Sequence, residues 1–232
     1  MNNSKLILIS PFSLYTEKNF TPPIKEIDLR SLKILFSTLL VENFLTLLAQ
    51  KKFSIDLIIN EDDFEYLPAI FNTINTKIYT INEQSFNNIL NEIIRKQFKD
   101  GYKKIVLLYG YTIGVQSEII DFISNALPVD SEKLIIGTDN LYNLALFGIN
   151  DQNIIPLDAF NSSNSNPEYF LKDLINQNAE ILLLNEFKIC KNLQDVLYAY
   201  KHFKKIGNRH NNIYINQFLS HFSEKYKGYL FS

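Results

Sequence analysis

The stretch "KIVLLYGYTIGVQSEIIDFI", residues 104–123, decides the fold. It begins with an apolar run that stops at Gly110, which is typical of a buried parallel strand. It continues with "QSEIIDFI", in which the apolar residues have helical spacing. The stretch therefore predicts a strand, a turn and a helix. Parallel sheets bind ligands beyond the carboxyl ends of their strands, so the turn is the first place to look for a site.

The chain on either side of this stretch repeats the same alternation of strand and helix. Apolar runs that predict further strands lie at 5–10, 54–60, 76–81 and 131–137. Helical spacing predicts helices at 29–52, 85–101 and 116–127. Such alternation indicates an α/β fold with three layers, α/β/α, around a mostly parallel central sheet. With neither a linker nor an internal repeat, we expect one domain over residues 1–232.

The alternation of strand and helix is less regular after Gly137, and the secondary structure of two segments is undecided. Residues 139–150 fit either a strand that crosses the sheet edge or a short helix, and 179–187 fit either a strand or a helix. An amphipathic helix is predicted at 192–205. The C-terminal segment, from about 205 to 232, predicts a helix that packs through Ile213, Phe218 and Phe222.

Composition excludes several classes of function. A formal charge of −2 and a pI near 6.0 give no basic footprint, so we expect no nucleic-acid partner. The start lacks the features of a signal peptide, and charged or polar residues interrupt the apolar runs before the roughly 20 residues of a membrane helix. A single cysteine, Cys190, excludes an internal disulfide. We expect a cytoplasmic protein without a membrane span.

Three segments resemble motifs of a known superfamily: "LLYGYTIGVQSEII" (107–120), "LIIGTDNLYNLALFGIN" (134–150) and "FKICKNLQDVLYAY" (187–200). Together with the order of elements, they resemble the nucleotide-diphospho-sugar transferase (GT-A) superfamily. More narrowly, they resemble its small bacterial glycosyltransferase-like branch, which is related to the phospholactate and molybdenum-cofactor guanylyltransferases. The resemblance covers roughly residues 5–205.

This resemblance implies a place for the nucleotide-sugar. In that branch the fourth strand ends in Gly-Ser-Asp, and the Asp helps to hold a divalent metal against the nucleotide phosphates. Here Gly110 matches the glycine, Tyr111 the serine and Thr112 the acid, so the acid is missing. Asp139 matches the Asp of the family's Asp-Gly-Gly-Tyr, followed by Asn140 in place of glycine.

The resemblance extends to two further regions. Pro11 remains from the family's phosphate loop after the first strand, although no glycine and no Lys-Thr-Arg-Leu run follow it. Asp195 and its helix remain near the C-terminus, while the family's paired acids are replaced by residues among 188–191. The implied binding site for a nucleotide-sugar or nucleotide comprises Pro11, Gly110, Tyr111, Thr112, Asp139 and Asn140. The implied cofactor is Mg²⁺ or Mn²⁺, and Asp139 is the one matched metal ligand.

Each candidate also has a structural interpretation. Thr112 fits a strand-to-helix turn, and Asp139 fits the cap of a turn or helix. The acids of "EDDF", residues 61–64, favour a helix N-terminus over a metal cluster. Cys190 fits a structural thiol.

Two functional hypotheses follow. The first is a glycosyltransferase-like or nucleotidyltransferase-like protein whose metal-dependent activity is weakened or lost, a pseudoenzyme in the extreme case. A Thr hydroxyl supplies no negative charge to a metal, which is why the first hypothesis includes loss. The alternative is a non-catalytic binding or assembly module, with a protein partner or a homo-oligomer. It predicts an exposed apolar patch around Tyr109, Tyr111, Tyr142 and the C-terminal segment.

Overall fold

A seven-stranded sheet forms the centre of the molecule in the computed structural model. The structure describes residues 4–10, 24–49, 53–72, 76–82, 86–128, 132–140, 144–151, 180–184, 186–207 and 212–230. The strands are β1 Ser4–Ile9, β2 Ser54–Asn60, β3 Lys77–Ile81, β4 Lys104–Tyr109, β5 Lys133–Thr138, β6 Leu144–Ile149 and β7 Glu180–Leu184. They lie in the order β3-β2-β1-β4-β6-β5-β7.

All strands except β6 run in the same direction. β1 pairs in parallel with β2 and β4, β2 with β3, and β5 with β7. β6 lies between β4 and β5 and is antiparallel to both. The carboxyl ends of the other strands therefore meet at one edge of the sheet, which is the edge where the predicted site residues lie.

Helices cover both faces of this sheet. They are α1 Leu29–Ala49, α2 Phe86–Lys99, α3 Ser117–Ala126, α4 Leu193–Gly207, α5 Ile213–Lys225 and the short α6 Lys227–Leu230. The crossover from β1 to β2 runs in one direction along the sheet, whereas the crossovers through α2 and α3 run in the other. Because such crossovers are right-handed, α1 lies on one face and α2 and α3 lie on the opposite face. The predicted three-layer, mostly parallel fold is confirmed.

Helix α1 is the main support of its face. Its predicted apolar stripe is buried throughout, and comprises Leu32, Leu35, Phe36, Leu39, Leu40 and Leu47. With 21 residues, it is the one described helix that has the length and apolar composition of a membrane span. In this fold it packs between the sheet and α5, and most of its apolar stretch is buried, as in core helices.

The two segments whose secondary structure the sequence left undecided both form strands. Residues 144–149 form β6 inside the sheet, rather than at its edge, and 180–184 form the edge strand β7. The acids of "EDDF" begin a 3-10 helix, Glu61–Tyr66, whose N-cap Asn60 accepts a hydrogen bond from the Asp62 N–H. The interpretation of this segment as a helix start is therefore confirmed.

The C-terminal helices dock on the start of α1. Asp28 caps α1 by accepting the Ser31 N–H at 3.2 Å, and its other oxygen accepts from the Ser31 and Tyr226 hydroxyls and from Lys225 Nζ at 2.9 Å. The Ser31 hydroxyl also lies 2.7 Å from His221 Nε2. Because Ser31 uses its only proton toward Asp28, His221 Nε2 is the donor of this bond.

One predicted contact of this segment is wrong. Phe218 and Phe222 are buried as predicted, but Ile213 is 72% exposed, and Ile215 is buried instead. Ile213 is the first residue of α5 and follows the N-cap Asn212, so it lies at the outer end of the helix.

Candidate functional site

The turn after β4 is fixed by the helix beneath it. Asn43 of α1 is buried, and its Nδ2 donates to the carbonyl oxygens of Gly110 at 3.2 Å and Thr112 at 2.9 Å. A Cβ atom at Gly110 would lie 2.5 Å from Leu40 Cδ1 of the same helix. A side chain at this position would force Leu40 to move, so the glycine allows close packing between the turn and α1.

The turn closes at a second glycine. Gly114 has a φ of +66°, which an L side chain rarely adopts, and its backbone lies against the ring of His202 on α4. His202 Nε2 in turn lies 3.8 Å from Glu42 Oε1 of α1. The turn is thus held between two helices.

A second segment crosses in front of this turn. We call residues 186–191 the crossing segment, because it joins the carboxyl end of β5 to the turn after β4. The Phe187 N–H donates to the Thr138 carbonyl at 3.2 Å. Further along, the Ile113 N–H donates to the Lys188 carbonyl at 2.7 Å, and the Cys190 N–H donates to the Tyr111 carbonyl at 3.2 Å.

The crossing segment buries the position where the family has its acid. Thr112 forms an antiparallel bridge with Ile189 and is 0% exposed. Its hydroxyl donates toward the Ala145 carbonyl of β6 at 3.5 Å. Thr112 is therefore a structural residue of the turn that solvent does not reach.

Tyr111 is also buried, at 7% exposure, and its hydroxyl donates to the Leu144 carbonyl at 3.3 Å. Burial, together with the nearby charge of Asp139, raises the pKa of the Tyr111 hydroxyl well above its usual value. The side chain stays protonated and acts as a hydrogen-bond donor at neutral pH. Tyr109 is fully buried as well, so the exposed aromatic patch predicted at Tyr109 and Tyr111 is wrong, while Tyr142 lies outside the described residues.

Charged residues lie at the rim of this edge. Asp139 follows β5 and is half-buried, and Asn140 beside it is exposed. A hydrogen bond with Asp195, outweighing partial burial, raises the pKa of Lys188, and the charge of Asp139 adds to this rise. Partial desolvation of its ammonium group lowers the pKa of Lys191, although the side chain is exposed and the charges of Asp139 and Asp195 oppose the shift. Asp139 is thus close enough to interact with both lysines.

Asp195 has a structural role below these lysines. Its Oδ2 accepts the N–H groups of Lys191 at 3.0 Å and Asn192 at 3.1 Å, while Asn192 Oδ1 accepts the Asp195 N–H at 3.0 Å. These reciprocal bonds form a capping box at the start of α4. Asp195 Oδ1 also pairs with Lys188 Nζ at 2.8 Å.

The residues in this part of the chain do not fit a divalent metal. Mg²⁺ and Mn²⁺ favour several oxygen ligands, usually with carboxylates among them. Thr112 is buried, Asp195 is used by the helix cap, and burial raises the pKa of the Cys190 thiol so that it stays protonated. No group of three or more His, Cys, Asp or Glu that could hold a metal occurs in the portion of the chain described above. Of the acids that the resemblance matches, Asp139 remains, and metal binding there stays a prediction.

The structure brings most of the predicted site residues to one edge. Gly110, Tyr111, Thr112, Asp139 and Asn140 lie at the ends of β4 and β5. Pro11 lies outside the described residues. Lys188 and Lys191 join the site through the crossing segment, which no periodicity in the sequence reveals.

The comparisons with known proteins agree with this geometry. No protein-family model matches the sequence, and no curated protein sequence matches it. A crystal structure from Desulfovibrio desulfuricans G20, named as a candidate nucleotide-diphospho-sugar transferase, superposes with a TM-score of 0.70 at 15% identity, covering 94% of this chain and 99% of that one. The chain has the nucleotide-diphospho-sugar transferase fold.

Other structures with this fold are similar over most of the chain. A 4-diphosphocytidyl-2C-methyl-D-erythritol synthase from Anaerococcus prevotii has a TM-score of 0.53 at 12% identity, covering 87% of this chain and 97% of its own. A cytidylyltransferase from Leptospira borgpetersenii has a TM-score of 0.51 at 13% identity, covering 99% and 97%. At this level of identity the likeness shows a shared fold.

Proposed function

We propose that this protein is a glycosyltransferase-like or nucleotidyltransferase-like protein that binds a nucleotide or nucleotide-sugar and whose metal-dependent activity is weakened or lost. One observation carries the proposal. Thr112, at the position where the resemblance implies a metal-binding acid, is 0% exposed beneath the crossing segment. The position can neither supply a carboxylate nor reach a ligand.

The physical reason for weakened activity is electrostatic. Transfer from a nucleotide donor develops negative charge on the phosphates, and a carboxylate-held Mg²⁺ or Mn²⁺ normally stabilises it. Losing such a preorganised charge costs several kcal/mol at the transition state, a factor of about 10² or more in rate. Donor binding through other contacts at the edge of β4 and β5 is less affected, since it does not require that stabilisation.

Calorimetric titration with UDP-, GDP- and CDP-sugars, each with and without Mn²⁺, tests the proposal. We expect one donor class to bind, with an affinity that Mn²⁺ changes by less than about threefold. We expect little or no turnover when hydrolysis or transfer is followed by release of the nucleotide. Silence across the whole panel would contradict donor binding, and rapid Mn²⁺-dependent turnover would contradict the loss of activity.

The alternative, a non-catalytic binding or assembly module, is supported by a different observation. The predicted patch at Tyr109 and Tyr111 is absent, but Tyr198, Ile213 and Tyr229 are exposed on the three C-terminal helices. Native mass measurement distinguishes this alternative, because an assembly module should form a stable oligomer or copurify with a partner. A strict monomer without a partner would rule against it.

A further inference from the structure

The crossing segment brings two cations to the place where the resemblance implies acids. The Lys188 side chain is 47% exposed, and Lys191 is exposed as well. Asp195, to which Lys188 is paired, is only 5% exposed. A ligand that approaches this edge from solvent therefore meets the ammonium groups before the carboxylate beneath them.

The carboxylates near these lysines are not positioned like metal ligands. Asp195 is already bound by two backbone N–H groups and by Lys188, and its displacement would leave the start of α4 uncapped. Asp139 interacts with both lysines, whose positive charge opposes the approach of a divalent cation to it. The two lysines therefore offer exposed positive charge to a ligand at this edge.

We propose that Lys188 and Lys191 take the place of the divalent cation at this edge and contact the phosphate groups of the bound nucleotide directly. This inference rests on the proposed function and specifies how the ligand's charge is balanced. Lysine suits the role because its ammonium is a compact charge with three donors on a flexible stem. Phosphate oxygens accept such charge-assisted hydrogen bonds strongly.

Inorganic pyrophosphate in metal-stripped buffer is the probe, because it carries the charge of a nucleotide diphosphate and no base or sugar. We expect the wild-type protein to bind it without any divalent cation. We expect Lys188→Gln/Lys191→Gln to weaken this binding by about tenfold or more, since two charge-assisted contacts are lost. Lys188→Arg/Lys191→Arg should retain binding, because the positive charges remain.

The matched control is Lys96→Gln/Lys99→Gln, which removes the same charge from the exposed last turn of α2. This turn precedes β4 and so lies near the opposite edge of the sheet. We expect the control to bind pyrophosphate like the wild type. Thermal unfolding of every variant establishes that a loss of binding is not a loss of folding.

Failure of this inference differs from failure of the proposed function. Metal-free wild-type protein that does not bind pyrophosphate, or a Gln variant that binds it as tightly as the control, would overturn the inference. Nucleotide-sugars that bind only with Mn²⁺ would overturn the lysine role and the expected independence from metal, and would leave donor binding as the part of the proposed function that stands. Pyrophosphate binding that depends on the lysines, without any nucleotide-sugar binding, would support the anion site and contradict the proposed donor.

Discussion

At the scale of single residues, Thr112 occupies a metal-binding position by motif but is buried in the structure. The sequence places a threonine where the family has an acid, and this much is visible from alignment of the turn. It does not show that residues 187–190, some 75 positions later, cover that turn. The burial of Thr112 arises from long-range contacts, which local sequence patterns do not encode.

Restoring the acid at this position should destabilise the protein. Thr112→Asp would bury a carboxylate against the Ala145 carbonyl, so we expect it to lower the free energy of unfolding by about 3 kcal/mol or more. Thr112→Val, which keeps the shape and loses the hydrogen bond, should cost about 1 kcal/mol. Urea unfolding measures both. A stable Thr112→Asp protein that binds Mn²⁺ would contradict the structural role.

Gly110 is a second motif residue whose surroundings the sequence does not reveal. The resemblance places this glycine in the implied nucleotide-sugar site. In the structure the space for its Cβ is filled by Leu40 of α1. A sequence shows that a side chain is missing, but not which neighbour occupies the space.

Breaking the ion pair between Lys5 and Asp56 should strongly destabilise the protein. Both residues are buried, with Lys5 Nζ 2.5 Å from Asp56 Oδ1, and Gln97 Nε2 donates to Asp56 Oδ2 at 3.1 Å. We expect Lys5→Met to lower the free energy of unfolding by about 3–5 kcal/mol, because Asp56 would stay buried without its cation.

A double variant provides the control for this pair. Lys5→Met/Asp56→Leu removes both charges, and replacement of a whole buried pair by apolar side chains is often close to neutral. We expect the double variant to be more stable than Lys5→Met alone when both are unfolded in urea. Additive losses from the two substitutions would show that the pair does not act as a unit.

At the scale of elements, the sequence predicted most of the strands and helices but not the place of β6. Its apolar run fits either a strand or a short helix. In the sheet, β6 pairs with β5, which precedes it in the sequence, and with β4, from which α3 and β5 separate it. The direction of β6 follows from the connection after β5, which returns the chain between two parallel strands. The apolar pattern of a sequence indicates that a strand is buried, but it does not show with which strands it pairs.

Docking of the C-terminal helices should depend on Asp28. Asp28→Ala removes the cap of α1 and the partner of Lys225, so we expect a loss of about 1–2 kcal/mol near neutral pH. Glu224→Ala removes the same charge from an exposed position of α5 and should change stability by less than about 0.5 kcal/mol. Chemical unfolding of the two variants measures the difference.

The pH dependence of this docking has a definite sign. Burial would raise the pKa of Asp28, but hydrogen bonds from Lys225, Ser31 and Tyr226 outweigh it and hold the pKa well below its usual value. The folded state therefore binds the proton less readily than the unfolded chain. The advantage of wild type over Asp28→Ala should be complete above about pH 4 and should fade as the pH falls further. An unchanged difference at acidic pH would contradict the role of the carboxylate.

At the scale of the whole molecule, the sheet order predicts where the fold opens first. β1 and β4 lie at the centre and are buried along their length, whereas β3 and β7 are edge strands with half-exposed residues. We expect amide hydrogens of β1 and β4 to exchange at rates close to those set by global unfolding, and those of β3 and β7 to exchange faster. Hydrogen exchange followed by mass spectrometry tests this, and slower exchange in β7 than in β1 would contradict it.

The docking of the C-terminal helices on α1 also constrains how the protein folds during synthesis. The outer face of α1 is covered by α5 and its C-cap Tyr226, through contacts such as Thr38 with Tyr214 and Asp28 with Tyr226, which are 176 and 198 positions apart. A nascent chain therefore keeps this face uncovered until residues 213–226 have left the ribosome. Ribosome-bound chains that end at Gly207 should stay sensitive to protease, whereas the released protein should resist it.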